Sequence, residues 1–392
     1  MPFNLNFYSV LLLLGFLQGI VYALLLAYRG IREERLSDKL LAGLLFFICL
    51  HIGQYMLGFA GWYDSRDAYS TFMFYFPFHN VLILGPLFYF YFRSLTNDTF
   101  KFHKKDWWHF LPSLLLWLIY LVIFVKDIGL DKWLAQEILP HHFGTQGEGS
   151  SFRQSTLDQT INHLGTISFI VYLVFTISIY QKYRSYIYNH YSNTEVIQFN
   201  WIRNILYIVM AAFIFDFLVD TMGNFMVYED YTSKWRGYLG YAIAIYAVSI
   251  LGYNRSSTKQ HFLDFEPSKL KQEKTITHKT LELEAYKSKL LALMENEKLY
   301  LQSDITLKEL ATKLKTNSSI LSKVINSGFE QNFNDFINSF RVEAVKQRIK
   351  KEATKHLTLT AIAYECGFNS KATFNRAFKK FTGMSPREFM VD

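Results

Sequence analysis

The sequence predicts an all-α chain: a polytopic seven-helix membrane bundle followed by a cytoplasmic tandem helix-turn-helix domain. Three observations carry that reading. Seven largely apolar stretches, each near the roughly twenty residues that a helix needs to cross a bilayer, fill positions 1–253. The last part of the chain instead shows short runs of helical period, separated by capping residues and glycine. Charge divides at the same place. Positions 1–255 hold 18 Lys and Arg against 17 Asp and Glu, and positions 256–392 hold 23 against 16. Of the net charge of +8, +7 therefore belongs to the C-terminal part, as expected of a piece that meets phosphate. A length of 392 residues by itself favours two domains.

The spans are expected at Tyr8–Tyr28, Leu40–Phe59, Thr71–Phe92, Trp107–Val125, Ile161–Tyr180, Ile202–Val219 and Tyr238–Leu251. The first is too long and too aromatic at its start for a cleaved leader. The third holds Pro77 and Pro86, which should kink it. Tyr8, Tyr28, Trp62, Tyr63, Trp107, Trp108, Trp201 and Trp235 crowd the span ends, as an interfacial belt does. Loops after the first, third and fifth spans carry dense basic clusters, such as Arg29, Arg32, Arg35 and Lys39. The alternate loops are sparser. Basic residues favour the cytoplasmic side, so the N-terminus is expected outside the cytoplasm and the C-terminal domain inside, with the chain multi-pass in the cytoplasmic membrane. The long outer loop from Lys126 to Thr160 reads as solvated.

Positions 254–280 are polar, mixed in charge and hold one proline, so they read as a linker between the domains 1–253 and 281–392. If flexible, its ends lie about 25–30 Å apart. Leu283, Tyr286, Leu290, Leu293 and Met294 then recur at helical spacing and open the C-terminal domain. Thr306 and Glu309 form a capping box ahead of an apolar run. Asn317 is placed to cap a second helix, with Ile320, Leu321, Val324 and Ile325 inward. That helix turns Ser319, Ser322 and Lys323 outward. Asn332 caps a longer helix running to about Lys351, some 27 Å at 1.5 Å per residue. Its inward residues are expected to be Phe336, Ile337, Phe340, Ala344, Val345 and Ile349. Gly367 ends the next helix, and Asn369 or Ser370 caps the one after. There Phe374, Phe378 and Phe381 make a buried face, while Lys371, Thr373, Asn375, Arg376, Lys379 and Lys380 lie opposite. Those residue types hydrogen-bond base edges and phosphates.

The run from Ile362 through Gly367 and Phe374 to Pro386, with Ile305–Ala311, Asn317–Asn326 and Asn332–Ala344 before it, resembles the AraC/XylS-type bacterial transcription regulators. The resemblance covers about Leu281 to Val391. It implies two helix-turn-helix units joined by a long helix, both docking in the DNA major groove. Two positions depart from the pattern. Glu330-Gln331 stands where a glycine is usual, and Phe389-Met390 replaces a tyrosine-arginine pair.

Within the spans, polar residues are costly and often functional. His51 and Gln54 share a face, His79 and Asn80 lie between the prolines, Asp216 and Asp220 are four apart, and Asn162 and His163 begin the fifth span. His51, Gln54, His79, Asp216 and Asp220 are the candidate signal-sensing residues. Interhelical packing, a ligand pocket and a catalytic or metal centre stand as alternatives. Gly15, Gly19, Ala23 and Ala27 form a small-residue stripe, suited to packing within the chain or to a seam with a second copy. Cys49 and Cys366 are too far apart in kind of environment to pair, and Cys366 has a redox role as an outside reading.

No phosphate-binding glycine loop, nucleophile elbow, kinase motif or phosphoacceptor motif occurs in the sequence, and no cofactor or enzyme activity is expected. The expected partners are double-stranded DNA, the lipid bilayer, an unidentified signal ligand and, as a homodimer, a second copy. The reading is a membrane-tethered one-component transcription regulator. The competing reading is a transporter or lipid-modifying enzyme with a regulatory DNA-binding tail.

Overall fold

The computed structural model describes residues 5–64, 66–97, 100–194, 199–225, 231–254, 280–350 and 357–391. Among them the chain is helical, with no strand beyond two isolated bridges. It divides into two compact units. One comprises Met1–Tyr180 with Asn200–Asp264, and the other Gln181–Phe199 with Phe265–Asp392. The expected linker 254–280 lies almost wholly outside the described residues.

In the first unit, α1 (Phe7–Arg32), α2 (Leu36–Phe59), α5 (Leu111–Phe124), α7 (Asp158–His190) and α8 (Phe199–Phe225) supply the long apolar helices. Five helical stretches are long and apolar enough to cross a membrane: Phe7–Arg32, Leu36–Phe59, Lys104–Leu134, Glu148–His190 and Trp201–Met222. The other two expected spans differ from them. The third is two short helices, α3 (Ala68–Tyr75) and α4 (Leu84–Thr96). Pro77 forces Phe76 into extended backbone, at ψ 131°, and ends α3. Pro86 falls in the first turn of α4, where a missing N–H costs nothing. The seventh, α9 (Tyr231–Tyr253), is long enough but is diluted by glycine, tyrosine and Arg236 and is not among the five.

Close approach organises this unit. A side chain on Gly15 would meet the Ala242 Cβ at 2.5 Å, and one on Gly19 would collide with Cys49 and Ile245. The small-residue stripe of α1 is thus used against α2 and α9. Gly240 of α9 likewise faces Phe215 of α8. Arg29 of α1 donates to Asp38 Oδ2 at 2.7 Å, to the Tyr253 carbonyl at 2.7 Å and to the Gly252 carbonyl at 3.2 Å. It satisfies the last carbonyls of α9, where a cation is favoured.

The stretch expected as a solvated outer loop is ordered. α5 continues as a π-helix over Val125–Leu134, and α6 (Glu148–Phe152) packs beneath it. Buried Asp127 organises both. It accepts from the Gly149 and Ser150 N–H groups at 3.1 and 2.8 Å and from the Tyr75 hydroxyl at 3.0 Å. A charge that finds three donors tolerates burial, and this long-range pairing is invisible in a linear reading.

The second unit builds its C-terminal domain from α10 (Thr280–Glu297), α11 (Leu307–Lys313), α12 (Ser318–Gly328), α13 (Phe333–Ile349), α14 (Leu359–Glu365), α15 (Lys371–Thr382) and α16 (Pro386–Val391). Two cores lie along α13. One is aliphatic with phenylalanine, from Leu290 and Met294 through Leu321 and Ile325 to Phe336 and Ile337. The other gathers Val342, Val345, Ile362, Cys366, Phe368, Phe374 and Phe378. The expected end of α13 near Lys351 lies outside the described residues; the helix itself ends at Ile349.

Candidate nucleic-acid interface

Each helix-turn-helix unit is fixed by local chemistry. Thr306 Oγ1 accepts from the Glu309 N–H while the Glu309 carboxylate accepts from the Thr306 N–H at 2.8 Å, so the expected capping box is closed. The turn after α11 passes through Lys315 at φ 51°, and Asn317 Oδ1 then caps α12 by accepting from the Ile320 N–H at 2.8 Å. In the second unit Thr358 caps α14, the turn passes through Gly367 at φ 91°, and Ser370 rather than Asn369 caps α15. Gly367 is required twice over. Its φ is left-handed, and a Cβ there would lie 2.6 Å from the Tyr300 carbonyl oxygen and 2.9 Å from that of Leu301. Gly383 closes α15 at φ 81°. Glu330, at the position where the resemblance leads one to expect glycine, takes φ 54°, the same left-handed backbone reached at a steric cost.

These caps aim two polar faces outward. On α12, Lys323 is exposed, Ser319 and Ser322 are half-buried, and Asn326 Nδ2 donates to Ser322 Oγ at 3.2 Å. On α15, Lys371, Asn375 and Arg376 are exposed and Thr373 is half-buried. Arg376 Nη2 donates to Thr373 Oγ1 at 3.4 Å. Exposed Lys379 extends that face. Lys380 instead reaches back to Asp335 at 2.7 Å and ties α15 to the start of α13. At about 1.5 Å per residue the 17-residue α13 is roughly 25 Å long, a rigid spacer of the scale needed for two helices about one DNA turn apart.

Sequence reasoning missed the polar frame behind these faces. Arg341 of α13 is 2% exposed and donates to the carbonyls of Tyr300 at 2.7 Å, Gln302 at 2.8 Å and Ser303 at 3.2 Å. Burial pushes its guanidinium down to about 10, which leaves it charged at neutral pH. Asn338 Nδ2 donates to Asn334 Oδ1 at 3.0 Å beside it. The trace was present: Arg341 falls on the ladder Phe333, Ile337, Arg341, Val345, so a charge interrupts an apolar stripe at four-residue spacing. The residues expected inward do pack against the two cores, with polar residues buried among them. Asn334, Asn338 and Arg341 are buried, whereas Phe340, Ala344 and Ile349 are half-buried.

The candidate sensing residues in the first unit separate into two groups. His51 and His79 meet, Nδ1 to Nδ1 at 2.7 Å, because the break between α3 and α4 lets His79 lean on α2. Asn162 Oδ1 accepts from His79 Nε2. Tyr238 lies against His51 at 5.1 Å between ring centroids and stacks on Tyr55 at 3.8 Å. Asp216 accepts from the Tyr241 hydroxyl at 2.9 Å. Gln54 turns to Tyr63 at 3.2 Å, and Asp220 is exposed. The structure thus joins His51 with His79 directly, places Asp216 near them through the tyrosines of α9, and leaves Gln54 and Asp220 outside the cluster. Among the described residues no three His, Cys, Asp or Glu side chains gather as a metal site would require.

The arrangement at the C-terminus is that of a tandem helix-turn-helix DNA-binding domain. Comparison with known proteins agrees: residues 310–391 match the family model described as a helix-turn-helix domain. Over 94 residues, 24% of this chain, the sequence is 33% identical to uncharacterized HTH-type transcriptional regulators of Staphylococcus aureus, among them those of strains COL and MSSA476. The matched stretch spans 12% of those relatives' length. No solved structure matches the chain. The C-terminal region of this protein is a helix-turn-helix domain of the AraC type.

Proposed function

We propose that this chain is a membrane-tethered one-component transcription regulator. The observation that carries the reading is the pairing, in one chain, of two capped recognition helices bearing exposed cationic and amide side chains with five helices long and apolar enough to cross a bilayer. Lys371, Thr373, Asn375 and Arg376 from α15, and Ser319, Ser322 and Lys323 from α12, would contact bases and phosphates of double-stranded DNA. The names of the matched relatives point the same way. The first unit would sit in the cytoplasmic membrane with the N-terminus outside and the DNA-binding domain in the cytoplasm.

In this reading a signal ligand acts at the cluster of His51, His79, Asn162 and Asp216. Its support is the break between α3 and α4, since non-helical backbone at membrane depth is tolerated where it lines a buried polar site. Genome-wide mapping of DNA held by the full-length chain tests the core of the proposal. Discrete sites enriched in the wild type and lost in the Arg376→Ala variant are expected; uniform recovery of the genome would refute it. Reporter fusions after Val125 and after Gly252 should report opposite sides of the membrane.

A further inference from the structure

The second compact unit contains a piece that is remote in sequence, positions 181–199. There the end of α7 and the turn behind it meet the DNA-binding domain. Tyr191 pairs with Thr306 in an isolated antiparallel bridge. The Ser192 N–H donates to the Ile305 carbonyl at 3.3 Å, and its hydroxyl donates to the same oxygen at 2.7 Å. Asn334 Nδ2 donates to the Ser192 carbonyl at 2.6 Å and to that of Tyr191 at 3.4 Å. Arg341 Nη2 donates to Ser192 Oγ at 3.4 Å. Ser192 is 1% exposed.

The partners of Ser192 are the frame of the DNA-binding domain. Ile305 immediately precedes the Thr306 cap of the first unit. Asn334 and Arg341 belong to the linking helix. The Arg341 guanidinium, besides holding the 300–303 carbonyls, lies 5.9 Å from the ring of Phe368 in the second unit's core. A single buried serine therefore braces the start of the first unit and the linking helix directly, and reaches the second unit only through Arg341. Lys323, Lys371, Asn375 and Arg376 stay exposed with the segment in place, so the contact leaves the DNA-facing side open.

We propose that positions 181–194 are a clasp through which the end of α7 sets DNA affinity. Docked, the clasp holds the two recognition helices at one spacing. Withdrawn, it takes away the acceptors of Asn334 Nδ2 and one of those of Arg341, and DNA binding weakens. Control then enters through the α7–α8 connection, beside the covalent route through 255–279. This rests on the regulator reading above. A signal that moves α7 acts on the clasp only by binding the docked and withdrawn states unequally.

The test uses the full-length chain in lipid nanodiscs, with a genomic fragment recovered in wild-type mapping as the DNA probe. Ser192→Pro removes the N–H and the hydroxyl together, and Ser192→Ala removes the hydroxyl alone. Ser185→Ala, an exposed change on α7 away from the Ser192 contacts, is the control. At fixed salt, affinity should fall about ten-fold in Ser192→Pro and about three-fold in Ser192→Ala, since each hydrogen bond contributes modestly. Amide exchange over 299–306 and 333–345 should speed up in the same order. Unchanged or tighter DNA binding in both serine variants overturns the clasp, whatever exchange shows. A wild type that binds no site specifically overturns the regulator reading; unchanged exchange in Ser192→Pro then removes the clasp as well, and faster exchange keeps the docking contact.

Discussion

The two helix-turn-helix units follow one plan but solve it with different residues. Their caps Thr306 and Thr358, and their left-handed turn residues Lys315 and Gly367, lie the same distance apart in sequence. In the first unit the turn residue is a lysine on an exposed bend, and the recognition helix offers two serines, one lysine and an asparagine. In the second it is a glycine pressed against the Tyr300 and Leu301 carbonyls, and the recognition helix offers Lys371, Asn375, Arg376 and Lys379. The first unit is held by neighbours, namely α10 and the segment 181–194. The second is held by its own phenylalanines. A braced unit with one cation on its recognition helix stands beside a self-sufficient one whose recognition helix turns Lys371, Arg376 and Lys379 outward; under the proposed function the larger share of affinity falls to the second and regulation to the first.

The sharpest way to break that comparison is at the turns. Gly367→Ala must accept both a left-handed φ and a Cβ inside contact distance of two backbone oxygens, so the C-terminal domain should lose about 2–4 kcal/mol. Lys315→Gly relieves a left-handed side chain of about 1 kcal/mol and adds unfolded-chain entropy of similar size, so it should change stability by less than about 0.5 kcal/mol. Pulse proteolysis of the full-length chain measures both. Equal losses at the two positions would show that the turns are interchangeable after all.

The next largest difference concerns DNA. Arg376→Ala should weaken specific binding by about 1–3 kcal/mol at fixed salt, and Lys323→Ala by less, with a salt dependence reduced by about one unit of slope. Titration against the mapped site at several salt concentrations separates the two. A larger loss from Lys323 would reverse the assignment of affinity to the second unit.

How much of this was legible beforehand follows from the range of each interaction. The capping box at Thr306 and Glu309, the Asn317 cap and the Gly367 stop act within a few residues, and the sequence displayed them. The helical character of the chain and the core of α15 followed from period alone. What escaped was paired over long distances. Nothing near Arg341 announces that Ser192 will lie beside it, so Phe340 and Ile349 were legible as inward while the burial of Asn334, Asn338 and Arg341 was not. Nothing near Lys126 announces that Asp127 will cap α6, so an ordered cap was read as a solvated loop. His51 and His79 were each singled out, but their contact depends on how far the chain swings at Pro77.

Cys366 offers a smaller contrast with the exposed face beside it. Its side chain is buried in the second core, and burial raises the thiol above its ordinary range. At mildly alkaline pH an alkylating reagent should label it far more slowly in the folded chain than in denaturant. Rapid labelling of the native protein would revive a redox role for this position.

The smallest expected effect lies at the caps. The first unit closes its box with Glu309, whereas the corresponding third position after Thr358 is Ala361, whose N–H donates to Thr358 Oγ1 at 3.2 Å with no carboxylate to answer. Glu309→Ala leaves the Thr306 N–H without that partner and should cost about 0.5–1 kcal/mol. Ala361→Glu supplies the missing acceptor, and a negative charge in the first helical turn is favoured by the helix dipole. It should add up to about 0.5 kcal/mol. Thermal unfolding followed by exchange at α11 and α14 reads each change in its own unit. A gain from Ala361→Glu equal in size to the Glu309→Ala loss would mean that the two caps differ only by that carboxylate. No gain would mean that the phenylalanine core already fixes α14, which is the self-sufficiency inferred for the second unit.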